Sequence, residues 1–227
     1  MHLQHSQSTV RARAGAPGRS ARLAAPGSSG AHACSCAARA QASKANLASV
    51  KGELLQLVGN TSRGVSTSPS DLKAIQEAVA ELKAAGAGAT TTGPQQSGTW
   101  ELVWTSEKET LFILERAPLF GTKAGDVYQV IDIGSGGSGG YLQNVITFPP
   151  EGSFIVDSSL AVEGPQRVAF SFNAATLKLP GGKKLGLPPF GKGWFDNLYL
   201  DEELRVSYDS RGDTLITRRA GPPRRFT

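Results

Sequence analysis

From Gly98 onward the hydrophobic pattern of the chain alternates, and this alternation constrains the fold more than any other feature. Val168, Phe170 and Phe172 fall on one side of an extended segment, with Ala169, Ser171 and Asn173 on the other. Similar segments occupy residues 98–105, 127–133, 141–148, 153–162, 167–179, 194–200, 204–208 and 214–218, and residues 111–116 add a further strand candidate. Turn residues separate them at short spacing. Roughly eight such strands predict an antiparallel barrel or a sandwich. Closing a sheet removes its exposed edges and creates an inside.

Ahead of the strands the period is helical. Leu47, Val50, Leu54, Leu55 and Val58 recur at helix spacing until Gly59-Asn60 stops them. A second helix opens at Ser68-Pro69-Ser70-Asp71: Ser68 is placed to cap, Pro69 suits the first turn, and Asp71 answers three residues later. Leu72, Ile75, Val79 and Leu82 form its apolar stripe, and Gly86 ends it. Residues 86–97, rich in Gly, Thr and Pro, read as a linker.

The opening of the chain reads as an address. Its first fifty-two residues contain no Asp or Glu, while Arg11, Arg13, Arg19, Arg22 and Arg39 stand among Ala, Gly, Ser and Gln. That is transit-peptide composition, with cleavage expected near Ala40–Ala42. The domains expected are therefore a disordered, cleaved leader at 1–41, helices and linker at 42–97, a β-barrel at 98–220 and a tail at 221–227. Of 24 Lys and Arg, five leave with the leader, and the remaining 19 balance 19 Asp and Glu. A neutral domain has no field to draw in nucleic acid. The leader also holds every histidine and cysteine: His2, His5, His32, Cys34 and Cys36. What remains lacks the base of a Ser-His-Asp or Cys-His scheme and the ligands of an imidazole or thiolate zinc site. No stretch has the length of a membrane span, so any membrane contact is expected to be peripheral.

Several motifs look chemical. Gly134, Gly136 and Gly139 match a dinucleotide-binding pattern, but that chemistry needs a helix next, and Tyr141 to Phe148 reads as a strand. Arg211-Gly212-Asp213 has ordinary turn composition. Asp201-Glu202-Glu203 is a dense acidic run whose adjacent carboxylates on a turn would be solvated alike, unlike an acid–base pair. No cofactor or metal is expected, and the chain reads as non-enzymatic.

Two segments carry a resemblance. They are Ser97-Gly98-Thr99-Trp100-Glu101-Leu102-Val103-Trp104-Thr105-Ser106 and Gly193-Trp194-Phe195-Asp196-Asn197-Leu198-Tyr199-Leu200-Asp201-Glu202-Glu203-Leu204-Arg205-Val206. Glu53-Leu54-Leu55, Thr61-Ser62-Arg63-Gly64, Gly125-Asp126-Val127-Tyr128-Gln129-Val130-Ile131-Asp132 and Arg211-Gly212-Asp213 accompany them in order. From about Leu47 to Ala220 the chain resembles the plastid lipid-associated proteins, or fibrillins. A glycine-rich insert at 134–140 departs from the pattern. The resemblance implies a lipocalin-like barrel behind two short helices and a chloroplast address. It also implies association with thylakoids or plastoglobules, binding of prenylquinones or carotenoids, and for some members a part in photoprotection or quinone synthesis. Gly98-Thr99-Trp100 is similar to the lipocalin Gly-x-Trp opening. By that likeness Trp100 plugs the closed end, with Arg218 or Arg219 stacked on it.

Trp104, Val130, Ile146, Phe148, Phe170 and Phe172 are the expected cavity wall, on alternation and resemblance together. Lys183, Lys184, Leu187, Phe190 and Trp194 frame a Pro/Gly loop suited to touching a lipid surface while its lysines stay at the headgroups. The expected function is to bind or organise apolar plastid lipids. The alternative is an accessory subunit or scaffold for a plastid prenylquinone-synthesis enzyme, docked through the 69–85 helix.

Overall fold

The computed structural model describes residues 30–120, 122–134, 139–179, 181–188 and 191–227, with side chains from Ser43 onward except that of Phe120. The chain divides into two compact units, Met1–Ala40 and Gln41–Thr227. Residues 1–29 of the expected leader, His2 and His5 among them, lie outside the described residues, as do the side chains of His32, Cys34 and Cys36.

The second unit is built on nine antiparallel strands: β1 (Gly98–Thr105), β2 (Val127–Asp132), β3 (Gly140–Phe148), β4 (Gly152–Val162), β5 (Arg167–Lys178), β6 (Lys184–Leu187), β7 (Lys192–Leu200), β8 (Leu204–Asp209) and β9 (Thr214–Gly221). Their order is β4-β3-β2-β1-β9-β8-β7-β5-β6, and β4 also pairs with β5, so the sheet closes on itself. Between the two alternatives of barrel and sandwich, the fold is a barrel. Strand β5 serves two neighbours along its length. Residues 167–171 pair with β7 and residues 175–178 with β6, a short hairpin partner absent from the expected strands.

Among the described residues the chain also forms three α-helices. The first, α1 (Gly30–Gly59), begins well before the expected Leu47, in an alanine-rich stretch of high helix propensity. The second, α2 (Pro69–Ala85), is capped as expected: Ser68 Oγ accepts from Asp71 N at 3.1 Å. Residues 111–116 form no strand. They belong to α3 (Lys108–Arg116), because Thr105 Oγ1 accepts from Glu107 N at 3.0 Å and turns the chain at the end of β1. Helical bonding starts at once, with Leu111 N donating to Glu107 O at 3.0 Å.

Helices α1 and α2 cover one outer flank of the barrel. Val50, Leu54, Val58, Ile75 and Leu82 pack with Trp104, Tyr199, Leu204, Val206 and Ile216 of β1, β7, β8 and β9. Ile75 and Leu82 of the α2 stripe are thus spent inside their own domain, with Val79 packed against them and Leu72 left exposed. Two bulges make this packing work. Register shifts between Leu102 and Trp104 and between Asn197 and Tyr199 turn Trp104 and Tyr199 outward, toward the helices. Lys51 then ties α1 to the β7–β8 turn through Asp201, at 2.5 Å. Asp201 also accepts from Tyr199 Oη and from the backbone of Glu203 and Leu204. Of the acidic run expected to be solvated, Asp201 is an anchor, while Glu202 and Glu203 are exposed. Truncating Leu54 to Ala, a fully buried residue of this layer, is expected to cost about 2–5 kcal/mol, read from the urea midpoint at unchanged slope.

Candidate ligand-binding cavity

Strand direction gives the barrel two distinct ends. At one end β1, β3, β5 and β8 stop, and α3, the β3–β4 turn, the β5–β6 hairpin and the β8–β9 turn gather there. At the other end lies Trp100, which is fully buried with Ile131, Leu142, Leu160, Val168 and Phe195. Trp100 Nε1 donates to Gln96 O at 2.9 Å. The guanidinium of Arg219 stacks 4.1 Å from the indole and donates to the carbonyls of Gln95, Ser97 and Glu202. Of the two arginines expected on Trp100, Arg219 is the one placed there. Arg218 alternates to the outer face and pairs with Glu101 at 3.0 Å.

Between plug and mouth lies a cavity of about 510 Å³. Its apolar wall includes Leu102, Ile146, Phe154, Phe170, Phe172 and Phe195. Of the six wall residues expected from sequence, Ile146, Phe170 and Phe172 line it. Phe148 packs beside Phe154 in the cluster under the mouth. Trp104 and Val130 are not on the wall. The β1 bulge turns Trp104 under the helices, where its Nε1 donates to Thr67 Oγ1 at 3.1 Å. Val130 alternates away from Gln129 and Ile131, which face inward. On that outer face the C-terminal tail lies across β2 and β3: Phe226 stacks on Tyr128 and exchanges hydrogen bonds with Gln143.

The mouth combines lid and rim. Glu107, Thr110 and Ile113 of the α3 region line the cavity, as do Leu187 and Pro188 just after β6. Phe112 and Leu119 are 60 % and 71 % exposed, and Leu185 and Leu187 are exposed beside Lys183 and Lys184. Phe190 lies outside the described residues. Trp194 is not at the rim: Arg167 covers it at 3.7 Å on the barrel's outside and is itself held by Asp196. Asp209 Oδ1 accepts from the backbone of Arg211 and Asp213, so Arg211-Gly212-Asp213 is the β8–β9 turn. The Gly134–Gly139 run links β2 to β3, two neighbouring strands, with residues 135–138 outside the described ones.

Glu107 is the perturbed acid of this mouth. Burial lifts its carboxyl to about 7, against the Thr110 hydroxyl that donates to it at 2.9 Å. Asp209 and Asp213 add repulsion, which Arg211 partly relieves. Among the described residues no cluster of His, Cys, Asp and Glu is placed to hold a metal. Among the described residues no helix is long and apolar enough to cross a membrane.

Sequence reading missed the polar inner end: Gln129, Asn144, Ser207 and Thr217 line the cavity, and Arg205 lies behind them. The alternation of Arg205 and Ser207 with Leu204 and Val206 was the available signal, and it reads as an ordinary strand with its polar face outward.

A closed antiparallel barrel with a tryptophan plug at one end and a cavity walled by phenylalanines above a polar layer defines the fold, as the lipocalin-like expectation required of its strands. The family model described as PAP_fibrillin matches residues 48–218, and the chain belongs to this family of plastid lipid-associated proteins. It is 49 % identical to an Arabidopsis thaliana protein named probable plastid-lipid-associated protein 11, chloroplastic, across 75 % of this chain and 79 % of the relative. Identity is 27 % to probable plastid-lipid-associated protein 12, chloroplastic, over 74 % of this chain and 44 % of that protein. It is 25 % to plastid-lipid-associated protein 6, chloroplastic, over 75 % and 69 %; both are also from Arabidopsis thaliana. No solved structure matches the chain.

Because the Glu107 carboxyl is easier to protonate folded than unfolded, it favours the fold fully below its ordinary value near 4.5 and loses that contribution as pH rises through about 7. The Glu107 contribution to melting temperature is therefore expected to fall between about pH 4.5 and pH 7. Glu107→Gln should flatten that fall and raise the melting temperature at the alkaline end.

Proposed function

We propose that this chain is a non-catalytic plastid protein that carries an extended apolar lipid, a prenylquinone or a carotenoid, at thylakoid or plastoglobule surfaces. The observation that carries this reading is the cavity itself: plugged at one end, walled by phenylalanines, and opening at a rim of exposed apolar residues. The acid-free leader and the names of the three relatives support a plastid address. Ligand pockets of ~300–1,000 Å³ enclose drug-sized molecules. A long lipid therefore enters by one end and leaves the remainder at the mouth, where Phe112, Leu119 and Leu185 meet the membrane surface. Burying about ten methylenes supplies ~8 kcal/mol before ordering costs, which corresponds to micromolar affinity at best. The accessory-subunit alternative relied on a free face of α2, whose Ile75 and Leu82 are buried against the barrel.

Plastoquinone titrated into the full chain should quench tryptophan fluorescence saturably near one ligand per chain. Phe170→Ser with Phe172→Ser should abolish saturation, and linear quenching in the parent protein would overturn the reading. In flotation with galactolipid vesicles, Phe112→Ser with Leu185→Ser should leave quenching intact while reducing the floated fraction several-fold. Unchanged flotation removes the rim from the account.

A further inference from the structure

A cavity that only held hydrocarbon would have no use for a buried cation. Arg205 is fully buried, and among the described residues it pairs with no carboxylate. Its Nη2 donates to Gln129 Oε1, its Nη1 reaches Ser207 Oγ at 3.4 Å, and its Nε has no acceptor. The rings of Trp100 and Phe195, at 5.5 and 5.6 Å, and the like charge of Arg219 complete its surroundings. An unpaired buried charge is among the most costly features a core can hold, and burial pushes this guanidinium down to about 9.

The guanidinium also fixes the direction of the hydrogen bonds that run from it through Gln129 and Ser207. Arginine has donors only, so Gln129 must turn its oxygen to Arg205 and its amide nitrogen away. That nitrogen donates to Asn144 Oδ1 at 2.9 Å. The amide nitrogen of Asn144, a cavity-lining residue, is left with no hydrogen bond among the described residues. Ser207 accepts from Arg205, which leaves its own proton for the cavity it lines. Donors therefore face inward at this end, over a positive charge that reinforces them.

We propose that the inner end of the cavity is a donor subsite, set by Arg205 through Gln129, Asn144 and Ser207, that receives the oxygen-acceptor head of an otherwise apolar ligand. The shared chemistry is an oxygen that accepts without donating, a quinone carbonyl or a carboxylate. Pure hydrocarbon leaves these donors unpaired, so the subsite discriminates by the cost of orphaned polar groups. Arg205 acts here as a positioning residue. The proposal rests on the carrier reading and adds the orientation of the ligand: head at the plug, tail at the mouth.

The test uses the full chain and three probes with alkyl tails of similar length: a decyl-substituted benzoquinone, decanoate and decylbenzene, each titrated by tryptophan fluorescence. The proposal expects a headed probe to bind about tenfold tighter than decylbenzene. Asn144→Leu should remove that advantage while decylbenzene binds no worse, and Ser207→Ala is the second variant where Asn144→Leu does not fold. A preference for the quinone assigns the subsite to a carbonyl, and a preference for decanoate assigns it to a carboxylate; both support it. Equal binding of all three probes, or an advantage untouched by both variants, overturns the subsite and leaves the carrier. Failure of all three to bind overturns the carrier reading and the subsite with it.

Discussion

The β4–β5 ladder is the constraint from which the other features follow. It pairs two strands over ten registered positions, with one shift at Asp157–Ser158, and turns an open sheet into a closed one. Without it the backbone groups of β4 and β5 would be edges, and the inner faces of β3, β4 and β5 would have no opposite wall. With it, Ser158, Leu160, Val168 and Phe170 turn into one interior with Trp100 and Phe195. Closure alone does not make a cavity, since a small barrel fills with its own side chains. Here the filling is uneven. Trp100 and its neighbours occupy the lower layer fully, while the layer above leaves room bounded by phenylalanines that stack on one another, Phe170 on Phe172 at 5.4 Å.

The plug is also where the fold accepts electrostatic cost. Two guanidiniums flank one indole, Arg219 at 4.1 Å and Arg205 at 5.5 Å, and each is disfavoured first by loss of solvent. Arg219 is compensated by three backbone carbonyls at the edge of the barrel and by the fields of Asp201 and Glu202. Arg205, one layer deeper, has only an amide and a hydroxyl. The difference separates a structural cation from one whose hydrogen bonding is incomplete.

The strands were legible because alternation and turn chemistry are local: apart from the 111–116 candidate, each expected strand from 98–105 to 214–218 has its counterpart. What defeated sequence reading was the placement of faces. At β1 and β7 a single bulge reverses alternation, so Trp104 and Tyr199 leave the interior although their spacing from Trp100 and Phe195 suggests otherwise. On β8 the polarity rule inverts: Leu204 and Val206 face outward because α1 and α2 cover them, and Arg205 and Ser207 face inward. A strand reads as half-solvated unless something in the sequence says that helices cover its outer face. Helix α3 was missed because its start depends on a hydrogen bond from Glu107 N to the Thr105 hydroxyl, which hydrophobic periodicity does not register.

These placements restrict how a ligand reaches the interior. The ladders are continuous around the barrel, and the lower end is closed by a fully buried indole, so under the carrier reading passage runs through the mouth. The two covers there are held differently from the strands. Helix α3 has no buried residue, and its ties to the barrel include the hydrogen bond that Glu107 N donates to Thr105 Oγ1 and an exposed Glu109–Arg211 pair at 2.6 Å. Strand β6 is exposed along its length and pairs on one side with β5. Elements with few buried contacts open at low cost, so the mouth yields before any ladder does. The same two elements carry the exposed residues Phe112, Leu185 and Leu187. Under the carrier reading, contact with a lipid surface and opening of the cavity then act on one structure, and lipid is exchanged where the protein touches its source.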